Sequence, residues 1–199
     1  MTATPREGFK ARLRALSRRQ QIAFMAALCE RLLPNYGLYA QMTGQGDPGT
    51  LRVVLDLAWE SLMVREAKID FARQADKLSE AEPPEDDESF GARRAVEVMM
   101  ALSTLLDALQ GETPDAPLTI SGLSKSGVQA VVEMTEEAED DDAERAAARL
   151  REHPLMADER DFQEAVLEAA EARLDREALK ALRRLGRNDG VSNLGLSLE

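Results

Sequence analysis

A helical pattern of apolar residues fills positions 95–111, AVEVMMALSTLLDALQG. The apolar side chains recur at steps of three and four residues: Ala95, Val98, Met99, Leu102, Leu105, Leu106 and Leu109. Residues at these steps share one face of an α-helix, and a face this wide is typical of a helix surrounded by other helices. We therefore predict a helix at the centre of the core, ended by Gly111.

The same spacing continues in the N-terminal part of the chain. Residues 9–16 and 22–33 each carry an apolar helical face, and Ser17 with Gln20 forms a capping box between them. Proline has no backbone N–H and is found at helix ends and in first turns. Pro34 is therefore expected either to end the second helix or to begin a third.

Residues 44–49, GQGDPG, match the G-x-G-x-x-G pattern of dinucleotide sites. That pattern binds a pyrophosphate only where a strand delivers the glycines to a helix. Here a helical segment precedes it. Gly44 is instead expected to end that helix, Asp47 to cap the next one and Pro48 to occupy its first turn. The segment predicts a turn between helices and no cofactor.

The C-terminal half is less regular. Residues 111–127, GETPDAPLTISGLSKSG, are rich in glycine, serine and proline and predict a loop, in which 118–120 resemble a short strand. An apolar stripe then runs from Phe162 to Leu185. It predicts one long helix, or two helices if the chain breaks at Asp175.

Three segments carry no apolar face. Residues 80–88 hold six acids and two prolines and predict a solvated linker, and residues 188–199 predict an extended tail. The acidic run 136–144 would lie at a helix C-terminal end, where it opposes the helix dipole and is expected to fray. The chain as a whole, residues 1–199, predicts a single all-α domain, a multi-helix bundle of about seven to nine helices without a significant sheet.

The chain is strongly acidic. Its 25 Lys and Arg oppose 37 Asp and Glu, a net charge of −12, which repels nucleic-acid phosphates and anionic lipids. The N-terminus lacks the apolar core of a signal peptide, and the longest apolar run, Ile22–Cys29, is far shorter than the ~20 residues that cross a bilayer. We expect a cytoplasmic protein without a membrane partner, for which nucleic acid is an unlikely ligand.

Basic residues gather near both ends of the chain, in 6–19 and 173–187. One interpretation is weak association with nucleic acid through these ends. We favour a second, in which they neutralise the acidic segments 80–88 and 133–144, within one chain or across a homodimer.

Residue types for metal or nucleophilic chemistry are scarce. His153 is the only histidine and cannot supply the histidine pairs of a zinc helix or a di-iron bundle, and the acids at 140–142 lack the glycine and glutamate of a calcium loop. Cys29 has no histidine nearby in the sequence, and its spacing with Met25 and Leu32 indicates a small core residue. We expect no metal, no cofactor and no catalytic residue.

Charged residues beside the apolar stripes are the most informative group: Glu30, Arg31, Asp56 and Glu60. Two carboxylates four residues apart on a helix repel each other unless a base joins them. The candidate bases are Arg31, Arg65 and Lys68. We favour a partly buried salt-bridge network that joins the second helix to the helix after Pro48. The alternative is a polar pocket walled by Trp59 and Tyr36.

Several motifs together resemble a known family. They are FMAALCERLLPNYGLYAQMTGQGD at 24–47, LDLAWESLMVREAK at 55–68, VVEMT at 131–135 and SNLG at 192–195. The chain is similar to the YjaG-like family of bacterial proteins, domain-of-unknown-function family 416, and departs from its pattern around 136–150. The resemblance implies an all-helical cytosolic protein with no assigned activity. The matching positions are Cys29, Glu30, Arg31, Pro34, Asn35, Tyr36, Thr43, Gly44, Gly46, Asp47, Asp56, Trp59 and Glu60.

Three functions remain open at this point. The favoured hypothesis is a non-enzymatic helical protein that acts through contacts with an unknown protein partner or as a homodimer, with 29–60 as a rigid corner. The second is a small-ligand or enzymatic pocket built from Glu30, Asn35, Tyr36, Asp56, Trp59 and Glu60. The third is weak nucleic-acid association through the basic ends.

Overall fold

The computed structural model describes residues 8–111, 113–135 and 143–198. These residues form nine α-helices and one short 3₁₀ turn, and they contain no strand beyond an isolated bridge between Val191 and Ser197. The helices are α1 (Phe9–Ala15), α2 (Arg18–Thr43), α3 (Pro48–Met63), α4 (Phe71–Ser79), α5 (Phe90–Gln110), α6 (Ala116–Thr135), α7 (Ala143–Glu152), α8 (Pro154–Glu171) and α9 (Arg176–Arg187), followed by the turn Asn188–Gly190. The all-α prediction is confirmed. Most of the acidic run expected to fray, residues 136–142, lies outside the described part of the chain.

Two long helices, α2 and α5, form the centre of the molecule and share its most extensive helix–helix contact. The stripe on α5 is buried as predicted, and Gly111 follows its last residue. α2 is buried around most of its circumference between 22 and 32, because α3, α5, α6, α8 and α9 all pack against it. Small side chains such as Ala23, Ala26 and Ala27 allow this close approach.

Pro34 lies inside α2, so the prediction that a helix ends or begins there was wrong. Proline cannot donate to the carbonyl four residues earlier, which costs about 3 kcal/mol in a helix interior. The helix continues because Leu32, Asn35 and Tyr36, on both sides of the proline, are buried against neighbouring elements. α2 ends where predicted, at Gly44 in the left-handed conformation with φ 69°.

Residues 116–127 belong to α6, so the predicted loop and strand stub were also wrong. Pro117 occupies the first turn, where no backbone N–H is required. The small residues of this segment mark a close helix contact: Ser121 and Ser124 are buried, and a Cβ on Gly127 would lie 2.9 Å from Glu97 Oε2. The composition indicated a loop because glycine and serine are common both in loops and where two helices pack closely.

The C-terminal stripe forms two helices, divided where the second alternative placed the break. Asp175 caps α9, and its carboxylate accepts a hydrogen bond from the Ala178 N–H at 2.9 Å. The following segment does not extend away from the domain as predicted. Ser192, Asn193 and Leu194 are buried, because residues 191–197 fold back on the body of the protein.

The connection at 80–88 is only partly solvated. Five of its six acids are exposed, but Ala81 and Pro83 are buried against the domain. The prediction of a solvated linker is therefore wrong for these two residues. Within the described ranges, no helix combines the length and apolarity needed to cross a bilayer.

Candidate functional site

The sequence Cys29-Glu30-Arg31 on α2 sends three adjacent side chains in different directions. Cys29 is fully buried, and burial together with the neighbouring Glu30 carboxylate raises the pKa of its thiol. A thiol held in its protonated form is a weak nucleophile. The prediction that Cys29 is a core residue is confirmed.

The Glu30 carboxylate is fully buried and surrounded by arginines. Its Oε2 lies 2.8 Å from Arg52 Nη1 of α3 and 3.5 Å from Arg187 Nε of α9, and its Oε1 lies 2.9 Å from Arg183 Nε. Asp56 of α3 contacts Arg183 Nη2 and lies 3.5 Å from Arg52 Nη1. These five residues, the Glu30 cluster, join α2, α3 and α9.

The predicted network therefore connects α2 to α3, but with different bases. Arg65 and Lys68 do not contribute to it, and Glu60 lies exposed outside it. Arg183 arrives from α9, which crosses α2 closely because Gly186 faces Ala27 without a side chain between them. The sequence offered one signal: Arg183 and Arg187 are four residues apart and share a helical face.

Arg31 points to another side of α2, toward α8. Its Nη2 lies 2.6 Å from Asp158 Oδ2, its Nη1 lies 3.8 Å from Glu159 Oε2, and its guanidinium stacks over the Phe162 ring at 3.9 Å. This contact set ties α2 to α8 and was not predicted.

Glu159 is a second fully buried carboxyl group. Its Oε1 accepts hydrogen bonds from Ser124 Oγ at 2.5 Å and from Gln163 Nε2 at 2.6 Å. Burial raises the pKa of Glu159 in spite of these bonds and of the nearby Arg31 charge. The group connects α6 to α8 inside the core, and nothing in its sequence neighbourhood distinguished it from the exposed acids of α8.

Asn35 and Tyr36 each hold a connecting segment against α2. Asn35 Nδ2 donates to Asn193 Oδ1 at 2.8 Å, which fixes the folded-back C-terminal segment. Tyr36 Oη donates to the Ala81 carbonyl at 2.6 Å and accepts from the Asp47 N–H at 2.9 Å. Gly46, at φ 85°, leaves room for this hydroxyl, since a Cβ there would collide with it.

The GQGDPG segment is a turn between α2 and α3, as predicted. Asp47 caps α3, because its Oδ1 accepts from the Thr50 N–H at 3.0 Å. The hydrogen bonds to Thr50 lower the pKa of the Asp47 carboxyl. Its backbone and side chain are thus used in holding the turn.

Trp59, which the alternative prediction placed in a pocket wall, is not among the residues that line the described clefts. The side chain faces inward from α3 and is fully buried in the core, with Arg183 over its ring at 5.9 Å. Asp56 and Glu60 are exposed on the same helix, whereas Asn35 is buried and donates to Asn193.

A cleft does lie beside the Glu30 cluster. It encloses about 490 Å³ and is formed by α2, α3, the end of α9 and the C-terminal segment. Its polar end carries Glu30, Arg52 and Arg187. Its apolar wall consists of Leu33, Pro34, Tyr36, Leu51 and Leu198. We call it the Glu30 cleft; its volume lies in the range of small-ligand sites.

Arginines of the first basic end form contacts inside the protein, and most of the acidic segment 133–144 expected to neutralise them lies outside the described residues. Arg12 binds Glu171 at 2.8 Å and also contacts Glu164, both on α8, and Arg18 donates to the Ala108 carbonyl at the end of α5. These pairs connect the first two helices to α8 and α5. The expected partners at 80–88 are not used by Arg12 or Arg18.

Among the described residues, no three or more histidine, cysteine, aspartate or glutamate side chains are grouped in a way that could hold a metal ion. His153 instead caps α8, and its Nδ1 accepts from the Leu155 N–H at 3.2 Å. The geometry of the site is therefore that of a cleft with charged and apolar walls.

Residues 8–197 match the family described as "Protein of unknown function (DUF416)". The chain belongs to the DUF416 family. It is 39% identical over 190 residues to "Uncharacterized protein YjaG" of Escherichia coli K12, covering 93% of this chain and 94% of that protein. An uncharacterised protein of Haemophilus influenzae is 36% identical over 191 residues, with 93% and 94% of the two chains covered.

The DUF416 fold has also been observed in a crystal. The structure of a DUF416 family protein from Shewanella baltica OS155 is similar to this chain with a TM-score of 0.89 and 34% identity, covering 97% of this chain and all of that one. The resemblance stated from the sequence motifs is thus confirmed for both family and fold. The motif residues on α2 serve mainly to bind other elements of the DUF416 fold to this central helix.

Proposed function

We propose that this DUF416 protein acts by binding and not by catalysis, and that its ligand occupies the Glu30 cleft. The proposal is supported by what the reactive groups around the cleft already do. The Cys29 thiol is buried and protonated, the Glu30 carboxylate is held by arginines, and the Tyr36 hydroxyl both donates and accepts a hydrogen bond. Groups engaged in this way stabilise the fold and are poorly suited to acid–base or nucleophilic catalysis.

The observation that carries the proposal is the composition of the cleft. A buried charge cluster stands at one end and an apolar wall at the other, so the cleft can orient a molecule that has one polar and one apolar part. Two of its walls belong to α2 and α3, long helices that are packed on the core, so this part of the site exists before a ligand arrives.

The test is an affinity mass-spectrometry screen of a defined panel containing amino acids, aliphatic acids, sugars, amines and nucleotides. Leu33→Trp places a bulky ring in the cleft. Val53→Trp is the matched control, because Val53 is exposed on α3 and does not line the cleft. The wild type and the control are expected to retain the same compound unchanged, and Leu33→Trp to lose it.

Two outcomes overturn the proposal. Retention of no compound by the wild type removes the binding role of the cleft. Conversion of a retained compound into a different one shows turnover and removes the non-enzymatic assignment.

Contacts with a second copy of the chain are the second candidate. Val96 and Met100 lie one turn apart on α5 and are 41% and 50% exposed, so two large apolar side chains adjoin on the surface of this helix. Sedimentation velocity at micromolar concentration tests this candidate. A dimer that is lost in Met100→Glu, but kept in Gln129→Glu on the exposed side of α6, supports it; a monomer at all concentrations rejects it.

Association with nucleic acid ranks last. Arg12 and Arg183, which belong to the two basic ends, are engaged in internal ion pairs with Glu171 and Glu30. Phosphates would have to compete with these carboxylates in a protein of net charge −12.

A further inference from the structure

We propose that the Glu30 cleft selects a monocarboxylate carried on an apolar body, and that Arg187 receives the carboxylate. This inference rests on the proposed binding function and adds the chemical class of the ligand.

The first step is the charge of the cluster. Three guanidinium groups, from Arg52, Arg183 and Arg187, face two carboxylates, from Glu30 and Asp56. The cluster therefore carries one positive charge in excess, in a chain that is acidic as a whole. A single negative charge on the ligand completes the pairing.

The second step is the arginine that remains available. Arg183 is held between Glu30 and Asp56, and Arg52 is shared by the same two carboxylates. Among the described residues, the Arg187 guanidinium makes one polar contact, the 3.5 Å approach of its Nε to Glu30 Oε2. Its side chain is 51% exposed and lines the cleft, which leaves both terminal nitrogens for a ligand.

The planar arginine fork matches a carboxylate, because two parallel N–H···O bonds form at once. A cation would instead meet Arg52 and Arg187, the cationic side chains that line the cleft in the described part of the chain, and the Glu30 oxygens beside them are already occupied. A phosphate monoester carries close to two negative charges at neutral pH. One of these negative charges would have no positive partner in the cluster, and it would be repelled by the buried Glu30 carboxylate.

The third step is the apolar wall. Leu33, Pro34 and Leu198 are at least partly exposed and form the apolar surface that a ligand can touch, whereas Leu51 and Tyr36, which also line the cleft, are fully buried. The Leu198 side chain packs against α2 at Gly37, because a Cβ there would lie 2.8 Å from Leu198 Cδ1. An aliphatic or aromatic body replaces water along this wall.

The experiment uses isothermal titration calorimetry with four probes that share one body. 4-Phenylbutyrate is the carboxylate, 4-phenylbutanol the neutral analogue, 4-phenylbutylamine the cation and 3-phenylpropyl phosphate the dianion. We expect the carboxylate to bind about tenfold or more tightly than the alcohol, the value of one charge-assisted hydrogen-bond pair. The amine is expected not to bind.

Variants test the role of Arg187. Arg187→Gln is expected to lower the affinity for 4-phenylbutyrate to that of the alcohol and to leave alcohol binding unchanged, whereas Arg187→Lys retains part of the preference. Arg184→Gln is the matched control, since Arg184 is exposed on the same helix and does not line the cleft. Circular dichroism melting checks that all variants remain folded.

Each remaining outcome rejects the inference. Equal binding of carboxylate and alcohol, preference for the amine or the phosphate, absence of binding by all four probes, or an equal effect of Arg187→Gln and Arg184→Gln would do so. If the panel screen still finds a neutral or basic ligand lost in Leu33→Trp, the binding function stands and only its ligand class is wrong.

Discussion

Gly186 of α9 lies directly against the backbone of Ala27 of α2. A Cβ at position 186 would be 2.6 Å from the Ala27 carbonyl oxygen and 2.8 Å from its Cα. This contact between two helix backbones sets the distance at which Arg183 and Arg187 reach Glu30.

Gly186→Ala is therefore expected to destabilise the protein by about 1–3 kcal/mol, because the added methyl group must push the two backbones apart. The matched control is Gly122→Ala. Gly122 is exposed on α6 with no atom near its Cβ position, so alanine there should raise the unfolding free energy by up to about 1 kcal/mol. Urea unfolding measures both changes, and equal effects of the two substitutions would contradict the backbone contact.

Glu30→Gln removes the charge that three arginines surround. We expect a loss of about 1–3 kcal/mol in unfolding free energy, because the charge-assisted hydrogen bonds that Arg52 and Arg183 donate to this buried carboxylate are weakened. Glu60→Gln, on the exposed side of α3, should change it by less than about 0.5 kcal/mol. A double-mutant cycle with Arg183→Gln checks the assignment, and additive effects in that cycle would falsify a direct coupling between the two residues.

Tyr36→Phe removes a hydroxyl that serves two backbone groups. The Ala81 carbonyl and the Asp47 N–H both lose a partner, so we expect a loss of about 1–3 kcal/mol. Tyr39→Phe is the comparison, because its hydroxyl donates only to Asp87, whose side chain can turn to solvent. Urea unfolding measures both changes. A smaller loss of unfolding free energy for Tyr36→Phe than for Tyr39→Phe would contradict the inference that the Tyr36 hydroxyl holds the segments of Ala81 and Asp47.

Glu159 predicts a pH dependence. Burial raises its pKa in the folded state above the ordinary value of 4.5, so the folded protein holds the proton more tightly than the unfolded chain. The unfolding free energy should therefore fall as pH rises from about 4.5 through the folded-state pKa, and the penalty is fully present above it.

Glu159→Gln has no titrating group at this position and should not show that part of the decline. Both proteins are compared by urea unfolding at pH 4.5, 6.0 and 7.5. The unfolding free energy of Glu159→Gln, relative to that of the wild type, is expected to rise with pH. The positive charges of Arg31 and Lys125 oppose the effect of burial on the Glu159 pKa and so reduce this change. A constant difference across the three pH values would rule out titration of Glu159 as its origin.

Local signals predicted much of this fold. The α5 stripe, the Gly44 and Asp47 caps and the break at Asp175 depend on neighbours within one or two turns, which the sequence displays directly. Pro34 and the serine- and glycine-rich start of α6 were misassigned because distant packing outweighed their local preference.

The site was harder to predict for the same reason. Glu30 was recognised as a charged residue on a buried helix, but its partners Arg52 and Arg183 are chosen by how α3 and α9 cross α2. Asn35 was grouped with a pocket, although it binds Asn193 at the other end of the chain. Helix order in space, which spacing along the sequence does not encode, decides these pairs.

The separation of Glu30 from Arg183 has a consequence for synthesis on the ribosome. Their hydrogen bond spans 153 positions, so Glu30 emerges soon before Arg52 but long before Arg183. At about 5–20 residues per second, the nascent chain carries an incomplete Glu30 cluster and the apolar surface around α2 for on the order of ten to thirty seconds. α2 cannot complete its packing until α9 has been synthesised. Chaperone binding during that interval should therefore concentrate on the segment around Glu30.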